Sequence, residues 1–156
     1  MSAIESRLAE LGVELPEVAA PVAAYVPAVV TGDLAWTSGQ LPFVSGALPA
    51  TGKVGDGHGL VPAGDAKEYA RLCALNALAA LKSVLGSLDR ITRVVKVVGF
   101  VASDPAFTGQ PGVVNGASEF IGEVFGDAGV HARSAVGVAV LPLDAPVEVE
   151  VVVEFA

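Results

Sequence analysis

Residues 130–155 read VHARSAVGVAVLPLDAPVEVEVVVEF, and the fold is decided by how this stretch is laid down. From Val147 the odd positions Val147, Val149, Val151, Val153 and Phe155 form an unbroken apolar row, which a strand presents to one face because its side chains alternate. The even positions hold Glu148, Glu150 and Glu154, with Val152 among them. The preceding segment, 132–141, offers Ala, Val and Gly on both faces, so the sheet face opposite the apolar row is only partly polar and is expected to meet another subunit. In that segment Arg133 is a permanent cation, and ten of the twelve residues around it are Val, Ala, Gly, Leu or Pro. Such a charge needs a partner. Two partners are open: a structural carboxylate such as Glu150, pinning two subunits in register, or a bound anion.

The turn PLDAP, 142–146, joins the two segments. A regular antiparallel register about that turn sets Arg133 opposite Phe155, roughly 23 Å along the strand from Glu148. On this register the two side chains cannot share a pocket within one chain, and a site using both lies between chains.

Upstream, ITRVVKVVGFVAS at 91–103 is β-branched and mostly apolar, the pattern of a strand buried on both sides. Two helices flank it. The first follows Asp65 and Glu68, spaced as a capping box, with Tyr69, Leu72, Cys73, Asn76, Leu81, Val84, Leu85 and Leu88 near one face. The second spans about 113–125 and stops at Gly126. A hairpin-like pair, AYVPAVV and LAWTSGQLPF, turns at Thr31-Gly32-Asp33, and the Gly-rich 44–64 region is a loop with one short strand near 52–55. A short helix over 3–11 and a Pro/Ala-rich connector over 14–24 precede it all, as an N-terminal arm. The order β-β-(β)-α-β-α-β-β gives an α+β fold: one mixed sheet with two helices on one face.

At 156 residues the chain has the length of one domain, 1–156, with 1–19 as helical extension and connector. It is 53% hydrophobic and 17% charged, with a mean hydropathy of +0.62, more apolar surface than a compact monomer needs to bury. Oligomerisation is the simplest sink. Apolar runs break before the roughly 18–20 residues of a membrane span, so no membrane partner is expected. The N-terminus lacks a basic region followed by an apolar one, which makes cytoplasmic the default location. One cysteine, Cys73, and two distant histidines, His58 and His131, offer no disulfide or zinc pattern, so metal-free chemistry is expected. A net charge of −8 opposes nucleic-acid binding.

Several short signatures occur in order: Tyr25, then Ser38-Gly39-Gln40 with Pro42, then Asn115, then Ala132-Arg133-Ser134, then Leu141-Pro142 and Glu148. Together they resemble the successive motifs of the Rid (YjgF-like) reactive intermediate deaminases over roughly 20–156. The resemblance implies a chorismate-mutase-like fold, a homotrimer with clefts between neighbours, and hydrolysis of amino-acid-derived enamines and imines, such as 2-aminoacrylate, to 2-keto acids and ammonia. It further implies that Arg133 binds the substrate carboxylate in a two-pronged ion pair, which a planar guanidinium suits. By the same analogy Glu148 positions or activates the attacking water, Tyr25 and Ser38 supply hydroxyls, the backbone around Gly39 and Ala135 bonds the imine nitrogen or oxygen, and Asn115 contacts ligand. The chain departs from the pattern at Ala135, where active members typically carry Cys, at His131, where Pro is usual, and at Val26-Pro27 after Tyr25, which marks a divergent branch.

Plainer readings stand beside these. Glu148 also fits a solvated strand residue, Ser38 a turn residue, Tyr25 a strand aromatic, and Asn115 a cap for the second helix. Asn76 reads as a satisfied core amide, Cys73 as packing, and His131 as lining the cleft. A non-catalytic trimer that binds a small carboxylate or metabolite is the alternative function. Family members have also been described as ribonucleases or translation inhibitors, a role the acidic composition ranks last.

Overall fold

The computed structural model describes residues 2–18 and 23–156; the rest of the expected 14–24 connector lies outside them. Three helices are present, α1 (Ala3–Glu10), α2 (Ala63–Leu85) and α3 (Gln110–Phe125). Five strands, β1 (Ala28–Thr31), β2 (Leu34–Thr37), β3 (Ile91–Ala102), β4 (Ala132–Val138) and β5 (Val147–Phe155), form one mixed sheet in the spatial order β1-β2-β5-β3-β4.

The sheet is organised on β5. Val147, Val149, Val151 and Val153 are at most 1% exposed beneath α2 and α3, so the apolar row faces the helices as its alternation requires. β5 pairs antiparallel with β2 on one side and with β3 on the other. The expected β4–β5 hairpin does not form. β4 instead runs parallel to β3, with Arg133 beside Val97 and Ala135 beside Gly99. The reason is local and tertiary at once. Leu143 and Asp144 both adopt left-handed backbone angles, φ 58° and 56°, and the turn is held from the 44–62 loop by Gly52 N–H donating to Asp144 O and by a Lys53–Asp144 ion pair. The chain therefore crosses to the middle of the sheet rather than doubling back. A strand–helix–strand sequence, β3–α3–β4, closes in parallel because its crossover helix covers one face.

β3 is not buried on both sides: Thr92, Arg93 and Val95 are exposed near its start, while Val94, Val97 and Val101 face the core. α2 begins after Pro62 with no side-chain cap, so Asp65 sits within the first turn, where its charge suits the helix dipole, rather than forming a box with Glu68. The capping box belongs to α1, between Ser2 and Glu5. Far from being a free arm, α1 is docked. Leu8 is 2% exposed, Asp89 accepts from the N–H groups of Ala3 and Ile4 at 2.9 Å each, and Glu5 pairs with Lys82. In the expected strand near 52–55, Val54 makes isolated bridges to Val61 and Ser103.

α2 and α3 approach closely because small residues meet. Ala66, Ala70, Ala74 and Ala77 are fully buried, and a Cβ on Gly116 would overlap the Lys67 carbonyl oxygen. Ala gains about 1 kcal/mol of helix propensity over Gly. Backbone overlap cannot be relieved by a rotamer, however, and overpacking outweighs that gain. Gly116→Ala is expected to destabilise the protein by about 1–3 kcal/mol, read as a lower urea midpoint, whereas Gly112→Ala, with open space around it, should not.

Candidate functional site

Two groups of polar side chains emerge, one at each end of the sheet. The first gathers around the C-terminal end of β2. Tyr25, Pro27, Gly39, Gln40, Leu41, Phe43, Pro142 and Glu148 line a cavity of about 160 Å³. Gln40 continues β2 by a mutual backbone pair with Val149, which sets Gly39 beside Glu148. Gly39 is needed there: a Cβ would overlap the Glu148 carboxylate. Glu148 points to the sheet face opposite the helices, as its even position requires. Burial, and then the neighbouring Glu150 charge, push its carboxyl above the usual 4.5.

Ser38 stands next to this cavity with its hydroxyl engaged. It donates to Val26 O at 2.6 Å, and Ser38 N–H donates to Pro27 O at 2.8 Å. The residue thus ties the Tyr25–Pro27 segment to the end of β2, and only its lone pairs face outward for a ligand. Asn76 donates to Leu41 O and Phe43 O, holding the cavity's 41–43 wall onto α2; its amide is satisfied as expected, but it is half-buried and borders a cavity rather than lying in the core. Cys73 packs below β5, 0% exposed, its thiol pushed well up by burial and then by the Glu148 charge.

The second group surrounds Arg133. None of the ion pairs among the described residues includes it, so within one chain Glu150 is not its partner. Its guanidinium is held by neutral oxygens: Nη1 donates to Asn115 Oδ1 at 2.8 Å and to Ser118 Oγ at 3.3 Å, and Nη2 to Pro111 O at 3.3 Å. α3 starts at Gln110 behind Gly109, so Asn115 lies inside the helix and caps nothing; its side chain serves Arg133 instead. Ser118, one turn further on the same face, was not singled out from sequence. The signal available was its i, i+3 spacing from Asn115 on the same helix. Both Nη1 hydrogens are spent. Nε has no acceptor among the described residues, which leaves the Nε/Nη2 edge able to take a carboxylate side-on.

The two groups do not meet within one chain. Arg133 aligns with Val97 and Val97 with Val151, so Arg133 and Glu148 are two strands and three residues apart, about 14 Å rather than the 23 Å of the hairpin register. They also face opposite sides, Arg133 toward α3 and Glu148 away from it. Around them lies exposed apolar surface: Tyr25, Val29, Trp36, Val136, Val140 and Leu143 are each 43–68% exposed. Ala135 packs against the core on β4, which is a sheet edge among the described strands. A larger cavity, about 530 Å³, lies behind Gln40 and Phe43, bounded by Pro16, Glu17, Val18 and Asn76. It has the volume but no cation among its lining residues. Among the described residues no helix is long and apolar enough to cross a membrane, and no group of three or more His, Cys, Asp or Glu could hold a metal ion.

A mixed five-stranded sheet backed by two helices, with a cavity beside Glu148 on one face and Arg133 held by neutral oxygens on the other, defines a chorismate-mutase-like α+β protein. The family profile described as "YjgF/chorismate_mutase-like, putative endoribonuclease" matches residues 5–155. The chain belongs to this YjgF family. It is 45% identical over 154 residues to "Protein TCP17" of Trypanosoma cruzi, covering 97% of this chain and 93% of that protein. Its fold matches the crystal structure of protein Atu1372 from Agrobacterium tumefaciens at TM-score 0.90 and 48% identity, covering 98% and 92% of the two chains. A Shewanella oneidensis protein carrying the same endoribonuclease wording matches at TM-score 0.93 and 34% identity, over 99% and 100%.

Gly39→Ala is expected to fold, because the overlapped Glu148 atoms belong to a side chain that can swing away, with a loss on the order of 1 kcal/mol. The displaced carboxylate regains water, so its pKa falls toward 4.5; a carboxyl-carbon NMR titration of Glu148 measures this.

Proposed function

We propose that the chain is a hydrolase of reactive enamines and imines bearing a carboxylate, of the 2-aminoacrylate type, releasing a 2-keto acid and ammonia in clefts between the subunits of a homotrimer. The observation that carries this reading is Arg133: a cation fixed by neutral acceptors alone, with its Nε edge unfilled. An anionic substrate supplies the missing charge, and a carboxylate matches the planar fork. Because Arg133 and Glu148 face away from each other in one chain, a site using both joins Arg133 of one subunit to the Glu148 cavity of another. The exposed Trp36, Val136 and Val140 are the surface such an assembly would cover.

In that cleft the enamine is taken as its imine tautomer, already electrophilic. Water loses a proton to Glu148 as its oxygen bonds the imine carbon, and the C=N electron pair goes to nitrogen. Glu148 returns that proton to nitrogen to give a carbinolamine, and the hydroxyl proton then passes through Glu148 to the same nitrogen, so that the C–N bond breaks to release ammonia as the C–O bond becomes the keto carbonyl. Tyr25 and the backbone at Gly39 and Ala135 orient the reacting atoms. Ser38, through Val26 O, keeps Tyr25 at the cavity. No metal or cofactor is part of this scheme. The whole of 1–156 acts as one domain, in the cytoplasm. The net charge of −8 argues against RNA as substrate.

The test generates 2-aminoacrylate with a dehydratase and follows keto-acid release. Arg133→Gln should lower kcat/KM by about 100-fold, the worth of a charge-assisted fork, and Glu148→Gln by about 10²–10⁴-fold, the worth of a general base. Glu148 must be deprotonated to act. Activity is therefore present above its raised pKa and lost as pH falls through it, at a midpoint above 4.5. No acceleration by an intact trimer sinks the enzyme, and saturable keto-acid stabilisation without turnover leaves the binding trimer in its place.

A further inference from the structure

We propose that Ser118 and His131 are positioning residues for Arg133, forming a hydrogen-bond chain of fixed polarity that holds the guanidinium's Nε/Nη2 edge toward an incoming carboxylate. The proposal rests on Arg133 being the carboxylate anchor.

The direction of the chain follows from its far end. His131 Nδ1 lies 2.6 Å from Gly129 O. A carbonyl oxygen only accepts, so Nδ1 carries the proton. The neutral ring then presents a lone pair at Nε2, which lies 2.9 Å from Ser118 Oγ. The Ser118 hydroxyl turns its hydrogen to that lone pair, and its own lone pairs are left toward Arg133 Nη1, 3.3 Å away. Asn115 Oδ1 takes the other Nη1 hydrogen at 2.8 Å. Without His131 the serine hydroxyl rotates freely, and some of its rotamers aim a hydrogen at the cation. The imidazole removes those rotamers, so Nη1 always meets an acceptor.

The geometry is also mechanical. Asn115 and Ser118 lie on α3, whereas His131 and Arg133 lie at the start of β4. The chain therefore bridges two elements and sets how far the β4 edge stands from the helix. With both Nη1 hydrogens committed, the planar guanidinium cannot swing about Cδ–Nε without breaking two hydrogen bonds, and the Nε/Nη2 edge is presented in one orientation. Holding a binding group in place in this way contributes to affinity by lowering the ordering cost of binding.

The experiment titrates pyruvate, as the probe carboxylate, onto the wild-type protein and its variants by calorimetry, with each variant's thermal midpoint measured alongside. Ser118→Ala and His131→Ala should weaken pyruvate on the order of three- to tenfold. Ser118→Thr, which keeps the hydroxyl, and His131→Gln, which keeps an acceptor at similar reach, should recover most of that loss. Nitrogen-15 NMR of the His131 ring should show Nδ1 protonated and Nε2 bare. The proposal is overturned if Ser118→Ala and His131→Ala bind pyruvate as the wild type does, if Nε2 carries the ring proton, or if Thr and Gln restore stability without restoring affinity. Arg133→Gln separates the two levels: loss of pyruvate there alone keeps the anchor and removes only the positioning chain. Undiminished binding by Arg133→Gln, or no binding by the wild type, removes the anchor and the positioning chain together.

Discussion

The burial of one face of β5 governs everything else in this molecule. Each of its four helix-facing valines removes apolar surface worth about 1.5–3 kcal/mol from water, and the strand can satisfy all four only beneath α2 and α3. Strand alternation then leaves no choice for Glu148, which must point to the other face. There the carboxylate is partly stripped of water beside Gly39 and close to the Glu150 charge, so its proton affinity rises. A residue that looks like one of a solvated glutamate row is thus half-buried because its neighbours on the strand are buried.

Arg133 faces the complementary problem. It sits on an edge strand of the described sheet, next to a helix that offers it neutral oxygens while the helix's two carboxylates, Glu119 and Glu123, pair with Lys67 and Arg71. Neutral acceptors orient a cation without cancelling its charge, which is the arrangement expected where a ligand is to bring the anion. In a chain of net charge −8 this is a local field against the global one. The sheet keeps this cation and the Glu148 cavity on opposite sides, on a surface that also carries exposed tryptophan, valine and leucine.

Much of this was legible in the residues. The valine row of β5, the long face of α2, the end of α3 at Gly126 and the satisfied amide of Asn76 each follow from periodicity or residue chemistry, and the ordered tags from Tyr25 to Glu148 point to the family. A hairpin between β4 and β5 is the sequence expectation because a short Pro- and Asp-containing turn between two apolar segments is most simply closed in antiparallel fashion. Nothing in Pro142–Pro146 announces that Leu143 and Asp144 take left-handed angles; that is enforced by Gly52 and Lys53, remote in sequence. Asn115 was read as a cap because the start of α3 was placed three residues late, beyond the Gln110-Pro111 entry.

By itself the sequence determined the alternation of buried and outward residues, the two packing helices, and the presence of a lone arginine that needs an oxygen partner, since these depend on local periodicity and on the chemistry of single side chains. Only the tertiary structure decided strand order, the parallel placement of β4, and which oxygens surround Arg133. Those outcomes depend on where segments far apart along the chain come to lie, and the free energy that selects them comes from packing and hydrogen bonds no local window contains.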